Sequence, residues 1–302
     1  MKVLVTGATG LVGSELVPFL KKQGHDVFRL TRGAAHDATD VVWDPQHNQL
    51  PKGRIEGTEV VVHLAGENIA GKRWNPKVKE ELRRSRVEGT KLLCETLGQL
   101  ETRPKTLICA SAIGFYGDRG NEMLNETSPA GSGFLAGVCQ EWEDACAPAR
   151  QMGIRVVNLR IGVILSSKGG ALAKMLPPFK MGVGGVVGTG NQYWSWITID
   201  DMVGIIDFCI KQERMSGPVN ATTPGPVTNY EFTKTLGSEI GRPTIIPMPG
   251  MIARIALGEM ANELLLASSR VMPNRLSEAG YKFLYPSLEP ALSHLLGSAK
   301  PH

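Results

Sequence analysis

The amino-acid sequence predicts an α/β protein, a doubly wound parallel sheet with a smaller C-terminal α+β domain. Three observations carry that expectation. The chain opens on a short β-branched run, Val3-Leu4-Val5, which reads as a buried parallel strand. The stretch Thr6-Gly7-Ala8-Thr9-Gly10-Leu11-Val12-Gly13 follows, then an amphipathic segment to Lys22 and a second strand from Asp26 to Thr31. Further apolar strands recur at Val60 to Leu64, Lys105 to Ala110 and Ile154 to Leu159, with helical stretches between them.

The three glycines of the first turn have separate uses. One permits the tight turn, one lets backbone approach a pyrophosphate, and one lets the helix lie close on the strand. The helix N-terminus offers free N–H groups and a partial positive charge to phosphates. Gly7, Thr9, Gly10, Leu11, Val12 and Gly13 are therefore candidate cofactor-binding residues. A lone glycine triplet is weak, but its place between a strand and a helix is the context such a motif needs. The Gly-x-x-Gly-x-x-Gly spacing, opening Thr-Gly-Ala-Thr-Gly, resembles the extended short-chain dehydrogenase/reductase superfamily. That resemblance implies a Rossmann domain over residues 1–165, with 193–222 returning to it. Residues 166–192 and 223–302 would form the smaller substrate domain.

Composition bounds the function classes. The chain has 302 residues, 42% hydrophobic and 21% charged, an ordinary globular balance. The net charge of +4 is spread without a basic run, so nucleic acid is not an expected partner. The densest charge cluster, Lys79 to Arg86, reads mostly as a solvated helix face. No apolar run approaches the roughly 20 residues of a membrane helix, and the N-terminus enters a strand directly, so a cytoplasmic protein without a signal peptide is expected. Cys94, Cys109, Cys139, Cys146 and Cys209 are scattered through apolar segments and read as reduced core thiols. The six histidines lack ligand spacing, so no metal is expected. A small-molecule substrate is the expected partner, and a homodimer is compatible with the sequence.

The second strand ends Leu30-Thr31-Arg32-Gly33, where an NAD-preferring enzyme usually places a carboxylate for the ribose 2′-hydroxyl. Thr31 and Arg32 instead favour NADP, since a guanidinium can grip a 2′-phosphate bidentately. The alternative is a solvated arginine ending a strand. The strand Val60 to Leu64 runs into Ala65-Gly66-Glu67-Asn68. In the superfamily a similar stretch passes beneath the cofactor, which marks Leu64, Ala65 and Gly66. His63 lies inside the apolar run and reads as a satisfied core histidine. A helix is expected from about Pro76 to Gly98, with Asn75 as N-cap and proline at its first position. Within it, Arg86-Val87-Glu88-Gly89-Thr90 resembles the superfamily's Asn-Val-x-Gly-Thr pattern, with Arg86 in place of Asn. The resemblance puts Arg86 at a cofactor phosphate, with Glu81 a weaker neighbour; the competing account leaves Arg86 on the solvated face.

The strand ending at Ala110 delivers Ser111-Ala112-Ile113-Gly114-Phe115-Tyr116-Gly117, similar to the Ser-Ser-x-x-Val-Tyr-Gly of the superfamily. Counted back from Tyr116, the usual serine falls at Ala112, one residue after Ser111. The superfamily's Tyr-x-x-x-Lys pair is absent, because Phe134 and Val138 hold those positions. The lysine of that pair ordinarily lowers the tyrosine's pKa for proton transfer. Ser111 and Tyr116 remain the candidate catalytic hydroxyls, with Cys139 weaker. Arg160-Ile161-Gly162-Val163-Ile164 resembles the segment whose backbone passes the nicotinamide, marking Arg160 and Ile164. A Gly-rich loop is expected over Ser166 to Gln192, either covering a ligand through Lys174 or Lys180 or forming a surface hairpin. Trp194 and Trp196 share one sheet face, as a substrate platform or as a packing pair. Asp200 or Asp201 is expected to cap the helix running to Lys211. After the strand Val219 to Thr222, the chain reads helix, proline-rich turn, helix, with a Leu276 to Tyr281 tail like that of extended members.

Gly66-Glu67-Asn68-Ile69, Arg73-Trp74, Ser85-Arg86, Met175 to Phe179 and Trp196-Ile197 together resemble the atypical "epimerase family" subgroup with its distinctive C-terminal extension. Two functions follow from the resemblance. One is an NADP-dependent oxidoreductase or epimerase acting on a nucleotide-sugar-like molecule. The other is a non-catalytic NADP(H)-binding redox sensor or scaffold. The missing Tyr and Lys favour the second; the loop and the tryptophans favour the first.

Overall fold

A computed structural model describes residues 1–45, 47 and 49–297. They divide into two compact units. Among the described residues, unit 1 lies within 1–111, 138–159 and 203–219, and unit 2 within 112–137, 160–202 and 220–297.

Unit 1 is built on a seven-stranded parallel sheet with flanking helices. Its strands are β1 (Lys2–Thr6), β2 (Asp26–Thr31), β3 (Asp40–Val42), β4 (Val60–His63), β5 (Thr106–Ala112), β6 (Arg155–Ile161) and β7 (Gly217–Ala221). They lie in the order β7-β6-β5-β4-β1-β2-β3, so β1 sits between β2 and β4. Parallel registers align Thr6 with Leu30 and with His63, and His63 with Cys109. The aliphatic runs explain the arrangement. Val3, Leu4 and Val5 on β1, and Val61 and Val62 on β4, are 0% exposed, as strands covered on both faces require. The expected doubly wound sheet is therefore present. In open α/β sheets of this kind ligands bind outside the carboxyl ends of the strands.

The helix Leu11–Lys22 buries Val12, Leu16, Val17 and Leu20. The helix Pro76–Gly98 has the expected bounds, and the Asn75 side chain accepts a 2.9 Å hydrogen bond from Val78 N–H. All five cysteines are buried free thiols, as expected of core residues. No described helix is long and apolar enough to cross a membrane.

Unit 2 carries short ladders. Val163–Ser166 pairs in parallel with Trp196–Thr198, Tyr193–Trp194 antiparallel with Val227–Thr228, and Met123–Leu124 in parallel with Arg270–Val271. Its core gathers Leu165, Leu172, Leu176, Phe179, Trp194, Trp196, Phe232 and Leu236.

Two sequence expectations are corrected here, on the loop and on the helix cap, and the open choice at the two tryptophans falls to packing. The stretch 166–192 is not one glycine-rich loop, because Gly170–Lys180 is a helix. Leu172, Leu176 and Phe179 recur at helical spacing and bury, overriding the Pro177-Pro178 pair. Trp194 and Trp196 are packing residues, 7% and 1% exposed, with indole N–H groups donated to the Leu265 and Gly225 carbonyls. The helix Ile199–Lys211 takes its first-turn cap from Thr198, whose hydroxyl accepts from Asp201 N–H at 3.1 Å. Asp201 lies inside that turn and accepts from Leu284 N–H at 2.8 Å and Tyr285 N–H at 3.0 Å.

Candidate functional site

The glycine turn is built by contacts that exclude side chains. Gly7 has φ +65°, and a Cβ there would lie 2.8 Å from the Leu64 carbonyl carbon. A Cβ on Gly13 would lie 2.3 Å from Gly7 O, so the first helical turn rests directly on the strand end. Gly10 caps the helix with no side-chain hydrogen bond, and its own N–H donates to Gly7 O at 3.0 Å. With no acidic residue in the first turn, Leu11, Val12 and Gly13 present helix N-terminal amides without a competing carboxylate. The Gly7–Gly13 cradle fits a diphosphate.

Beneath it runs a buried polar chain. Thr6 Oγ1 accepts from Leu64 N–H and Ala65 N–H, each at 3.1 Å, fixing the segment that crosses Gly7. Its hydroxyl therefore donates to His63 Nδ1 at 2.7 Å, and the Nε2–H donates to Thr90 Oγ1 at 2.9 Å. Trp142 Nε1–H also donates to Thr90, at 2.9 Å. His63 is the satisfied core histidine expected, and burial holds its pKa down at about 4.

Arg86 is committed to this loop. Its guanidinium donates to Glu67 O at 3.0 Å and Leu82 O at 3.1 Å, and lies 5.2 Å from the Trp142 ring centroid. A Cβ on Gly66 would come within 3.4 Å of its Cζ. Burial lowers the Arg86 pKa from its ordinary value. The residue thus staples loop backbone to the Pro76–Gly98 helix instead of joining the solvated face. Glu81 does belong to that face, half-exposed and 3.9 Å from Lys72 Nζ.

At the end of β2, the Thr31 side chain accepts from Gly33 N–H at 3.2 Å. Arg32 is exposed and pairs with Glu67 at 2.6 Å.

At the end of β5, Ser111 is 3% exposed and donates to Glu143 Oε1 at 2.8 Å. Tyr116, within unit 2, is 0% exposed. Its hydroxyl faces Asn220 Oδ1 at 2.7 Å and Asn125 O at 3.0 Å, and receives a 3.0 Å bond from Arg160. Burial raises the Tyr116 pKa. These contacts make Tyr116 a tie inside unit 2, already saturated with partners. Arg160 lies 3.4 Å over the Phe115 ring centroid and is equally enclosed. Ile164 pairs in register with Ile197. Phe134 opens the helix Phe134–Asp144 and Val138 is buried in it, so neither offers a proton. Glu263 receives Phe134 N–H and Leu135 N–H, both at 3.1 Å, closing that helix's first turn.

Sequence reasoning assigned no role to Glu67, Glu143 or Glu263. Glu67 alone stands beside a stretch the sequence marks, Leu64 to Gly66, and its meeting with Arg32 shows only in the fold.

A parallel sheet with a phosphate cradle after its first strand defines a dinucleotide-binding protein. The profile of the NAD dependent epimerase/dehydratase family matches residues 3–222, and that of a domain of unknown function (DUF1731) matches residues 248–295. An epimerase family protein of Mycobacterium bovis is 40% identical over 292 residues, 97% of this chain and 96% of that one. The crystal structure of the human epimerase family protein SDR39U1 with NADPH superposes with TM-score 0.90 at 32% identity, covering 98% and 99% of the two chains. A nucleoside-diphosphate sugar epimerase from Corynebacterium glutamicum matches at TM-score 0.82 and 38% identity, over 99% of this chain and 58% of that one. The chain belongs to the NAD dependent epimerase/dehydratase family, among the extended short-chain dehydrogenases/reductases of the SDR39U1-like type.

Proposed function

We propose that this chain binds NADP(H) and acts as an oxidoreductase or epimerase on a nucleotide-sugar-like small molecule. The observation that carries the reading is the side-chain-free cradle at Gly7, Gly10 and Gly13 with Arg32 at the end of β2. Leu11, Val12 and Gly13 amides would hold the diphosphate, and Thr31 and Arg32 the adenosine 2′-phosphate. Leu64, Ala65 and Gly66 would pass beneath the dinucleotide, with Arg86 holding that backbone in place. NADP(H) would supply hydride chemistry; the protein binds, orients and handles the proton. Ser111 is the proposed hydroxyl, its proton directed at Glu143. Tyr116 and Arg160 serve as buried ties within unit 2. The relatives solved with NADPH and named as a nucleoside-diphosphate sugar epimerase support the cofactor and the substrate class.

Phe134 and Val138 favour a second reading, a non-catalytic NADP(H) binder. Incubation with 4-deuterated NADPH and a panel of UDP- and TDP-4-keto-hexoses, whose carbonyl can accept the deuteride, read by mass spectrometry, separates the two. Deuterium in a sugar supports the enzyme; tight NADPH binding with no transfer supports the binder. Absence of NADPH binding by calorimetry rejects both.

A further inference from the structure

We propose that the Arg32–Glu67 ion pair is a latch over the adenosine end of the cradle, which opens when Arg32 exchanges the Glu67 carboxylate for the 2′-phosphate of NADP. The inference rests on the NADP(H)-binding reading. Its basis is topological. Arg32 immediately follows β2 and Glu67 stands four residues beyond β4, and β1 lies between those strands. Strands in a sheet are roughly 4.8 Å apart, so β2 and β4 stand about twice that distance from each other. Side chains that meet at 2.6 Å from those two loops therefore span the end of β1, where Gly7 turns.

The two ends of the latch differ. The Glu67 backbone is pinned, its N–H donating to Ser85 Oγ at 3.1 Å and its carbonyl accepting from Arg86 at 3.0 Å. Arg32 is the more exposed partner, with 60% of its side chain exposed against 45% for Glu67, and it donates to the carboxylate through Nη1. An exposed ion pair is weak and is readily outcompeted by a phosphate bound through two parallel hydrogen bonds. NADP brings such a phosphate to this point, whereas NAD brings a hydroxyl that cannot replace a carboxylate. Glu67 is thus a specificity-determining residue. It taxes every dinucleotide that enters, and only a 2′-phosphorylated one compensates Arg32.

Calorimetric titration with adenosine 2′,5′-bisphosphate and with ADP tests the exchange without any turnover. Glu67→Gln should tighten the bisphosphate about fivefold. In an Arg32→Ala background the same change should alter affinity less than twofold. An unchanged or weaker affinity in Glu67→Gln overturns the latch, as does an equal gain in the Arg32→Ala background, which would indicate plain charge repulsion. Wild-type protein that binds NADP while Glu67→Gln has no effect defeats the latch alone; wild-type protein that binds no NADP defeats the cofactor reading with it.

Discussion

Thr6 and His63 stand side by side in the parallel register of β1 and β4, and a 2.7 Å hydrogen bond joins their side chains. Thr6 already accepts two loop amides, so its only proton goes to Nδ1, and the imidazole stays neutral to satisfy Thr90 on its other side. The chain of contacts reaches from the loop crossing Gly7 to Trp142, which couples the cradle to the core without a charge. A protonated ring would leave Nδ1–H facing a hydroxyl whose lone pairs are already taken.

That relationship predicts acid sensitivity. Burial depresses the folded pKa of His63 to about 4, against 6.5 when unfolded. The group's contribution is therefore complete above pH 6.5 and is lost as pH falls from 6.5 through 4. The shift corresponds to roughly 3 kcal/mol. Urea unfolding of wild type and His63→Gln at pH 7 and pH 4.5 checks it. The variant should be less stable at pH 7 and lose less on acidification; equal pH dependence of the two proteins would refute the assignment.

Cofactor preference should follow Arg32. Wild type is expected to bind NADP at least tenfold more tightly than NAD, about 1.4 kcal/mol. Arg32→Asp should remove that preference, because a carboxylate there repels the 2′-phosphate and receives a ribose hydroxyl instead. Equal wild-type affinities for the two dinucleotides in calorimetry would sink the expectation.

Arg86→Ala should lower both stability and NADP affinity. Its guanidinium bonds the Glu67 and Leu82 carbonyls, and charged hydrogen bonds contribute about 1.5–3 kcal/mol. Loosening the 65–67 loop should weaken NADP on the order of tenfold. Melting temperature and affinity on one variant give the answer. Loss of affinity with unchanged melting would mean that Arg86 contacts the cofactor directly. If neither changed, Arg86 would behave as an ordinary surface cation.

Asp201 is 0% exposed and gathers residues 281–285, accepting from Leu284 N–H, Tyr285 N–H and the Tyr281 hydroxyl. Asp201→Ala would remove the shared acceptor of three part-buried hydrogen bonds, a loss on the order of 1 kcal/mol each. Hydrogen exchange should accelerate at Leu284 and Tyr285 ahead of the rest of unit 2. Exchange there at the wild-type rate would show that the carboxylate is dispensable.

What the sequence revealed and what it hid separate by chain distance. The glycine turn and the Asn75 cap are local, since a few adjacent residues determine them, and both stand where the spacing placed them. The contacts that define the candidate site are not local. Arg32 and Glu67 are 35 residues apart, Ser111 and Glu143 are 32 apart, and Phe134 reaches Glu263 across 129. No spacing rule links such pairs before the sheet order is known. The tryptophans show a different limit. Alternation puts Trp194 and Trp196 on one face, but only the packed partners Phe232 and Leu236 show that this face is core. Tyr116 was legible as a hydroxyl and not as a buried one, because its enclosure depends on Asn220 from a distant strand.

The proton-handling proposal stands on Ser111 and Glu143. The superfamily's usual donor positions hold Phe134 and Val138, so a hydroxyl whose proton already points at a carboxylate is the nearest chemical substitute. A positioned acid or base contributes about 10²–10⁴-fold. In the deuteride-transfer assay, Ser111→Ala should cut the rate at least 100-fold while NADPH affinity stays within twofold of wild type. Glu143→Gln still accepts the serine hydrogen bond through its amide oxygen but cannot take a proton. It should therefore slow transfer by an intermediate factor and shift the pH–rate profile, with melting temperature unaltered. A merely structural pair would behave oppositely, with both variants losing stability and Glu143→Gln keeping the wild-type pH profile. Full transfer in Ser111→Ala would remove this pair from the chemistry and leave the proton to another group.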